Sequence, residues 1–262
     1  MRPLADKTAL VTGSTQGLGL AVARRLAAAG CHIVLSGFAG AAAIASLRRD
    51  IESTHQVRTI HDQGDLARPD AIEQLIATAT DAFGGIDIVV NNAVARHVNP
   101  IESFATADWD EDLAVNLSAA FHTIRLTLPG MKQRDWGRIV NVSSIYGLVG
   151  APNRVGYVTT KTALIGLTRA TALETAGYDI TCNAVCPGTS ATPVHETSLD
   201  ALMQRTGLAR ADAERQLLAG KQPTGRLISA DGVAGLIAFL CGPDSRDITG
   251  AVLPIDGGWS AS

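Results

Sequence analysis

The feature that most constrains this chain is an alternation of short β-branched runs with longer amphipathic stretches, which continues almost from end to end. Such an alternation predicts βα units. Several short runs, such as IDIVV at 86–90, are almost wholly apolar, as is typical of parallel strands covered by helices on both faces. We therefore predict an α/β fold with a doubly wound parallel sheet. Its seven strands are predicted at residues 8–11, 32–35, 58–61, 86–90, 138–142, 180–185 and 251–255.

The intervals between these strands contain helical patterns, at residues 17–29, 69–83, 107–131, 154–176 and 230–240. Gly30 and the pair Gly84-Gly85 directly follow the first two, as expected for glycine past a last helical turn. Residues 192–224 are an insertion with a helical, amphipathic pattern. Because we find no repeat and no shift in composition, we predict one domain over residues 1–262, with the insertion as a lid over a site.

The charge balance argues against several classes of partner. The chain has 22 basic and 25 acidic residues, without a block of like charges. It also lacks an apolar run of the roughly 18 residues that a membrane span needs. We therefore expect a cytoplasmic protein that acts on a small molecule, with no nucleic-acid or membrane partner. Its 4 cysteines show no metal-ligand spacing, so we expect reduced, packed thiols and no bound metal.

The first predicted strand runs directly into the glycine-rich sequence TGSTQGLG at residues 12–19, and an apolar helix follows. Glycines let the backbone turn sharply and approach a pyrophosphate, and the helix N-terminus attracts the anion. The motif therefore predicts a dinucleotide site. After the second strand, SGFAG at 36–40 has neither the usual acidic ribose ligand nor a cation for a 2′-phosphate, and Arg48 and Arg49 lie a helix away. We expect NAD rather than NADP, with Ser36 or backbone groups at the ribose.

Tyr157 and Lys161 are four residues apart in a predicted helix, so their side chains share one face. A free phenol titrates at about pH 10, and a neighbouring ammonium favours its ionised form. The pair therefore suits proton transfer near neutral pH. Ser143 and Ser144 follow the fifth predicted strand and can reach the same crevice, where one hydroxyl could orient the reacting oxygen.

Taken together, these motifs resemble the short-chain dehydrogenase/reductase family along nearly the whole chain. The resemblance rests on TGSTQGLG, on NNA at 91–93, on Asn116 and Ser144, on the Tyr157-x-x-x-Lys161 motif and on Pro187-Gly188. It implies a single-domain, Rossmann-like fold and hydride transfer between a substrate and a nicotinamide cofactor. One departure is Val94, where the family usually has glycine after NNA. It removes no chemical group, so we still expect activity.

The resemblance also implies roles for individual residues. Tyr157 would be the general acid/base, and Lys161 would hold the nicotinamide ribose and lower the pKa of that tyrosine. Ser144 would hydrogen-bond the substrate oxygen, and Asn116 would hold a water that links Lys161 to solvent. The implied cofactor contacts are Gly13, Thr15, Gly17, Leu18, Gly19, Phe38, Asp65, Leu66, Asn92, Ala93, Tyr157, Lys161, Pro187, Gly188 and Thr192.

Within that family, stretches such as LSGF at 35–38, LPGM at 128–131 and DGGW at 256–259 resemble the bacterial D-3-hydroxybutyrate dehydrogenases. This implies reversible, NAD-dependent oxidation of a short 3-hydroxy acid whose carboxylate is held by polar and basic side chains. Several of those side chains differ here. As we align them, Arg96 replaces Gln, Tyr146 replaces His, Arg154 replaces Lys, Thr189 replaces Trp and Ser198 replaces Gln; with Ser144, these are the predicted substrate contacts.

Arg154 keeps a cation three residues before Tyr157, and an arginine can hold a carboxylate through two parallel hydrogen bonds. An anionic alcohol or ketone is therefore the expected substrate. Because Thr189 removes an aromatic wall, the alternatives include a larger or more highly charged alcohol, such as a branched or dicarboxylic hydroxy acid or a sulfonate.

Two other functions remain open: a 3-oxoacyl thioester reductase, and an NAD-binding sensor or scaffold without turnover. A further alternative is that Arg96 and Arg154 are solvated surface charges with no role in binding. His97 and His195 are expected to be loop or lid residues. The resemblance further implies a homotetramer.

Overall fold

In the computed structural model, which describes residues 2–191 and 193–261, seven parallel strands form one sheet in the order β3-β2-β1-β4-β5-β6-β7. The predicted fold class is confirmed. The strands are β1 (Thr8–Val11), β2 (His32–Ser36), β3 (Thr59–Asp62), β4 (Ile88–Asn91), β5 (Gly137–Val142), β6 (Ile180–Pro187) and β7 (Val252–Ile255). The helices are α1 (Gly17–Ala28), α2 (Ala41–His55), α3 (Pro69–Phe83), α4 (Thr106–Leu113), α5 (Ala119–Gln133), α6 (Val155–Glu174), α7 (Pro193–Thr206), α8 (Arg210–Leu218) and α9 (Ala230–Cys241).

Helices cover both faces of the sheet, as the apolar strand sequences predict. In β1, Leu10 and Val11 are both fully buried, yet they belong to different hydrophobic clusters. The first cluster includes side chains of α1 and α9, and the second includes side chains of α3 and α5. Since successive residues of a strand face opposite sides, the two clusters are the cores above and below the sheet.

The helix α2 is absent from the sequence prediction. Its apolar stripe is short: Ile44 and Ile51 are buried, Leu47 between them is partly buried, and the rest of the helix is alanine and polar residues. The helix predicted over 107–131 is present, but it is not uniform. A π turn, Ala114–Ser118, joins α4 to α5 and widens the backbone at Asn116.

The insertion at 192–224 is helical, as its pattern predicts, and it forms α7 and α8. Leu199 and Leu202 of α7 and Ala213 of α8 are buried together in a small cluster of their own. The side chains of all four cysteines are buried. Within the described residues, no helix combines the length and the apolarity that a membrane crossing requires.

Candidate active site

The principal crevice lies at the carboxyl ends of the strands, where the strand order reverses. The chain leaves β1 to build β2 and β3 on one side, and it returns to β4 to build the other side. Ligands of open α/β sheets bind at such switch points because the flanking connections diverge there. The crevice has a volume of about 820 Å³, within the range of roughly 300–1,000 Å³ that is usual for ligand sites.

The crevice brings together residues that are distant in the sequence. Every predicted cofactor contact that the structure describes lines it, with the glycine loop at one end and the Tyr157–Lys161 pair at the other. Those residues are Gly13, Thr15, Gly17, Leu18, Gly19, Phe38, Asp65, Leu66, Asn92, Ala93, Tyr157, Lys161, Pro187 and Gly188. Thr192, the remaining predicted contact, lies outside the described residues.

The glycine loop is packed too closely for side chains. A Cβ atom on Gly19 would lie 2.2 Å from the carbonyl oxygen of Gly13, and Gly13 itself has a φ of 64°. The side-chain amide of Asn92, at the end of β4, donates to the carbonyl oxygens of Thr12 (2.9 Å) and Gly13 (3.2 Å). These contacts hold the loop against β4 and leave the N-terminus of α1 facing the crevice. The arrangement fits the pyrophosphate of a dinucleotide.

At the far edge of the crevice the lining residues are Gly37 and Phe38. The expected ribose contact from Ser36 is wrong, because Ser36 is fully buried and does not line the crevice. Its backbone N–H donates to the hydroxyl of Ser14 at 3.0 Å, which fixes the last residue of β2 below the surface of the crevice. Backbone groups of Gly37 and Phe38 remain as the candidate ribose contacts.

At the opposite end of the crevice, α6 carries Tyr157 and Lys161. Both side chains are almost fully buried, at 5% and 2% exposure. The Lys161 ammonium lies 5.7 Å from the centre of the Tyr157 ring and donates to the carbonyl oxygen of Val142 at 2.8 Å. Two turns of one helix therefore present a phenol and a cation to the same space, as the four-residue spacing predicts.

The electrostatics of the crevice favour an ionised Tyr157. Burial alone would raise the pKa of Tyr157, but the positive charge of Lys161, and then that of Arg96, outweighs burial and lowers the pKa below the ordinary phenol value. Burial also lowers the pKa of Lys161, while the Tyr157 oxygen acts in the opposite direction. Each partner thus favours the charged form of the other.

The two serines after β5 have different surroundings. Ser143 donates its hydroxyl to the carbonyl oxygen of Lys161 at 2.7 Å, which ties β5 to α6. The Ser144 hydroxyl accepts the N–H of Tyr146 at 3.1 Å, and it lies close enough to the Tyr157 hydroxyl to lower the pKa of that phenol. Of the two serines, Ser144 is therefore the one placed to bind a reacting oxygen beside the phenol.

Asn116 lies in the π turn, 2% exposed, and does not line the crevice. Its carbonyl oxygen accepts the N–H of Ala95 at 2.8 Å. Its amide donates to the Ala95 carbonyl oxygen at 3.0 Å and to the Thr160 hydroxyl at 3.3 Å. Asn116 therefore joins the segment after β4 to α6. Its role in holding a water beside Lys161 stays a prediction.

The predicted substrate contacts are mostly assembled around the tyrosine. Those that line the crevice are Arg96, Ser144, Tyr146, Arg154 and Thr189. The Tyr146 ring lies edge-on to Tyr157, with 6.3 Å between ring centres, and the Arg154 guanidinium lies 5.7 Å from the centre of the Tyr146 ring. Ser198 differs from these residues, because it is an exposed residue of α7 that does not line the crevice.

The sequence analysis missed several residues around this site. Lys221 lines the crevice beyond α8 and lies 6.0 Å from the centre of the Trp259 ring, which in turn packs on Tyr146. Asp112 of α4 is fully buried and contacts His97. Lys221 belongs to KQP at 221–223, one of the stretches that resemble the D-3-hydroxybutyrate dehydrogenases. Nothing in the sequence marks Asp112, since it is one of four acidic residues in the polar segment of α4 and such residues are usually exposed.

Comparisons with known proteins agree with this geometry. The family described as short chain dehydrogenase matches residues 7–202. The chain therefore belongs to the short-chain dehydrogenase family, whose members are oxidoreductases that bind a nicotinamide cofactor.

Among the similar proteins, the D-beta-hydroxybutyrate dehydrogenase of Cupriavidus necator is 44% identical over 98% of this chain and 99% of its own length. That of Rhizobium meliloti is 41% identical over 97% of this chain and 99% of its own length. In structure, the L-sorbose reductase of Gluconobacter frateurii, complexed with NADPH and L-sorbose, superimposes over 100% of both chains with a TM-score of 0.92 and 27% identity.

Proposed function

We propose that this protein is an NAD-dependent dehydrogenase that reversibly transfers hydride between the secondary alcohol of a short 3-hydroxy acid and the nicotinamide. One observation carries the proposal: Tyr157, Lys161 and Ser144 meet in the same crevice as the glycine loop. The two relatives named as D-beta-hydroxybutyrate dehydrogenases support the hydroxy-acid part of it.

The chain's own residues account for cofactor binding. The N-terminus of α1 and the glycine loop would hold the pyrophosphate, Gly37 and Phe38 the adenosine end, and Lys161 the ribose beside the reacting ring. Bound there, the nicotinamide supplies the acceptor or donor of the hydride. Gly188 and the other residues at the end of β6 close the crevice from the opposite side.

Tyr157 is the residue that transfers the proton. In the oxidising direction its phenolate takes the proton of the substrate hydroxyl while hydride leaves the adjacent carbon, so the alcohol carbon is oxidised and Tyr157 becomes neutral. The Ser144 hydroxyl holds the reacting oxygen beside the phenol, and Lys161 keeps the phenolate stable between turnovers. In the reducing direction neutral Tyr157 returns the proton to the oxygen.

The substrate carboxylate would bind Arg154, whose guanidinium lies over the Tyr146 ring at the mouth of the crevice. Within the described residues no carboxylate pairs with Arg154, so its donors are free for a ligand. A planar guanidinium can hold a carboxylate through two parallel hydrogen bonds. Arg96 and Lys221 add positive charge to the same crevice, which favours, as a second candidate, a larger hydroxy acid that carries two anionic groups.

The proposed preference for NAD rests on Gly37 and Phe38, which line the crevice where the adenosine would bind. Arg48, the nearest arginine in sequence, is held elsewhere: it donates to the Thr59 carbonyl oxygen at 2.6 Å and to the Thr59 hydroxyl at 3.1 Å. Among the described residues that line the crevice, the cations are at the Tyr157 end. Within the described residues a 2′-phosphate would find no lysine or arginine beside Gly37, where the side chain of His61 lies 2.8 Å from the Gly37 carbonyl oxygen. This also disfavours an NADPH-linked 3-oxoacyl thioester reductase.

The insertion is proposed to act as a lid. His195 of α7 and Leu217 and Leu218 of α8 line the crevice, so the two helices border the substrate end. A lid at this place would exclude water from the reacting atoms.

The resemblance also leads us to propose a homotetramer. Leu173 of α6 is 79% exposed and Phe121 of α5 is 48% exposed, which suits helices that pack against another copy. The molar mass of the protein in solution, measured by light scattering against the 27.2 kDa of one chain, tests this proposal.

Initial rates of NADH formation test the function. The panel contains D- and L-3-hydroxybutyrate, branched and dicarboxylic hydroxy acids, hydroxy sulfonates and neutral secondary alcohols, with NADP in place of NAD as the cofactor control. We expect turnover of 3-hydroxy acids with NAD, and weaker turnover after Arg154→Ala. Turnover of neutral alcohols alone would overturn the anionic site, and a preference for NADP would overturn the cofactor assignment.

A further inference from the structure

Arg96 makes a contact that substrate binding alone does not require. It lies in the connection between β4 and α4, where its side chain is exposed. Its guanidinium donates to the hydroxyl oxygen of Tyr157 at 3.3 Å and lies 5.0 Å from the centre of the same ring. An exposed arginine ordinarily extends into water, so a contact with the reacting oxygen of the crevice needs a cause.

The backbone on both sides of Arg96 is held by one helical surface. Ala95 exchanges two hydrogen bonds with the side chain of Asn116, at 2.8 and 3.0 Å. His97 Nδ1 lies 3.1 Å from Asp112 Oδ1. Asp112 and Asn116 are four residues apart, across the end of α4 and the start of the π turn, so they face the same way. Residue 96 is therefore fixed between two clamped neighbours.

The same two side chains also touch α6, the helix that carries Tyr157. Asp112 is fully buried, and a Cβ atom on Gly156 would lie 2.2 Å from its Oδ2 atom, so Gly156 permits this close approach. Asn116 donates to the hydroxyl of Thr160 at 3.3 Å. Because residues 156 and 160 flank Tyr157, the Asp112–Asn116 clamp sets the distance between Arg96 and the phenol.

Two cations from different elements of the structure therefore lie next to the Tyr157 phenol. Lys161 approaches from α6 and is held by the carbonyl oxygen of Val142, whereas Arg96 approaches from the β4–α4 connection. Within the described residues, the other side chains placed next to the Tyr157 phenol are Ser144 and, edge-on, Tyr146. A hydrogen bond to an ionised oxygen is about twice as strong as one to a neutral oxygen, so the Arg96 contact favours the phenolate.

We propose that Arg96 is a catalytic residue that stabilises the phenolate of Tyr157 together with Lys161, and that Asp112 and Asn116 are its positioning residues. The role in the reaction rests on the proposed function, but the effect on Tyr157 exists in the protein alone. In the oxidising direction Arg96 keeps the proton acceptor charged before the alcohol arrives. With five N–H donors, its guanidinium can still offer a second edge to a substrate carboxylate.

The first test is a phenolate titration of the protein without cofactor or substrate, followed by near-ultraviolet absorbance. The chain has 3 tyrosines, so the Tyr157→Phe variant gives the contribution of the other two. We expect the Tyr157 phenolate to form at a higher pH in Arg96→Gln than in the natural protein, and Arg96→Lys to lie between them because it keeps the charge. Coincident curves for the natural protein and Arg96→Gln would overturn the proposal.

The second test is the pH dependence of kcat/KM for alcohol oxidation, with Arg154→Gln as the matched control. We expect Arg96→Gln to lose about tenfold in kcat/KM on the acid side and to move the acid limb to higher pH. Arg154→Gln should raise KM and leave the limb in place. If Arg96→Gln raises KM but leaves the acid limb of the pH profile at the same pH, Arg96 is a substrate contact only, and the proposal is overturned. If no alcohol is oxidised, the proposed function fails, and the phenolate titration still decides the role of Arg96.

The positioning residues are tested with Asp112→Asn, and the exposed Asp110 of α4 provides the control Asp110→Asn. Asp112→Asn should move the phenolate titration in the same direction as Arg96→Gln, and Asp110→Asn should not move it. Residues that act through one another are non-additive, so the double variant of Arg96 and Asp112 should titrate like Arg96→Gln alone. Additive displacements would overturn the positioning role.

Discussion

The ammonium of Lys161 lies 5.7 Å from the ring centre of Tyr157, one helical turn earlier on α6, and donates its 2.8 Å hydrogen bond to the Val142 carbonyl oxygen rather than to the phenol. Lys161 therefore acts on Tyr157 through its charge. The lysine is itself anchored to β5, so the distance between the two side chains is set by the packing of α6 on the sheet.

The substitution Lys161→Met tests this electrostatic role, because methionine keeps an unbranched apolar side chain and removes the charge. We expect the pKa of Tyr157 to rise, so the acid limb of the oxidation rate should move to higher pH, with a loss of about 10²-fold or more in kcat at neutral pH. Stopped-flow and steady-state pH profiles measure both. A variant whose limb stays in place would show that Lys161 only binds cofactor.

The substitution Tyr157→Phe separates an enzyme from a cofactor-binding sensor. The ring stays in its buried place between Lys161 and Tyr146, so the fold and cofactor binding should be kept, whereas proton transfer is lost. We expect a loss of about 10²-fold or more in kcat and little change in the NADH dissociation constant. Fluorescence titration with NADH and the initial rate give the two numbers. Full activity in Tyr157→Phe would contradict the assignment of Tyr157 as general acid/base.

Much of the fold could be predicted because it follows from local patterns in the sequence. The inner strands β1, β2, β4, β5 and β6 are visible as largely apolar runs because they are buried on both faces, whereas the edge strands β3 and β7 are only partly buried. The helix α2 is not predicted, because its large apolar residues are Ile44, Leu47 and Ile51 only, in a segment otherwise made of alanine and polar residues. The π turn is not predicted either, since Asn116 within it is held by Ala95 and Thr160, and such tertiary contacts have no sequence period.

The substitution Gly19→Ala tests the close packing of the phosphate loop. Its Cβ atom would lie 2.2 Å from the Gly13 carbonyl oxygen, so the loop must open. Overpacking of this kind typically costs about 1–3 kcal/mol of unfolding free energy. We expect that loss together with a cofactor dissociation constant at least about tenfold weaker, measured by chemical denaturation and by NADH titration.

The matched control is Gly235→Ala in α9, where a Cβ atom would meet nothing within 4 Å. Alanine is favoured over glycine inside a helix by about 0.5–1 kcal/mol, so this variant should be at least as stable as the natural protein. Its cofactor affinity should not change. Equal effects of the two substitutions on NADH binding would mean that the loop does not contact the cofactor.

As with the fold, only part of the site could be predicted from the sequence. The glycine loop, Ser144, Tyr157 and Lys161 are identifiable in the sequence because their chemistry needs fixed residue types at fixed spacing. Arg96 is visible only as a cation near the site, since its contact with Tyr157 depends on side chains that hold Ala95 and His97 from another helix. Tertiary contacts of this kind have no sequence period, so only the structure reveals them.

His97 gives a pH-dependent test of those contacts. Burial alone would lower its pKa, but Asp112, Asp108 and Glu111 surround the imidazole and raise the pKa above its ordinary value. A histidine whose pKa is higher in the folded than in the unfolded protein stabilises the fold while it is protonated. That stabilisation is complete below the unfolded-state pKa of about 6.5, and it is lost as the pH rises through the folded-state pKa. The positive His97 therefore stabilises the clamp on the acid side of that window.

We accordingly expect His97→Gln to destabilise the protein by about 0.5 kcal/mol at about pH 6, and by less at about pH 9, because the partly exposed imidazole is screened by solvent. Chemical denaturation at the two pH values measures the difference, with His55→Gln in the last turn of α2 as the control for loss of an imidazole. An effect of His97→Gln that does not change with pH would show that the imidazole is held as a neutral group, and that the charge of His97 plays no part in fixing the backbone at Arg96.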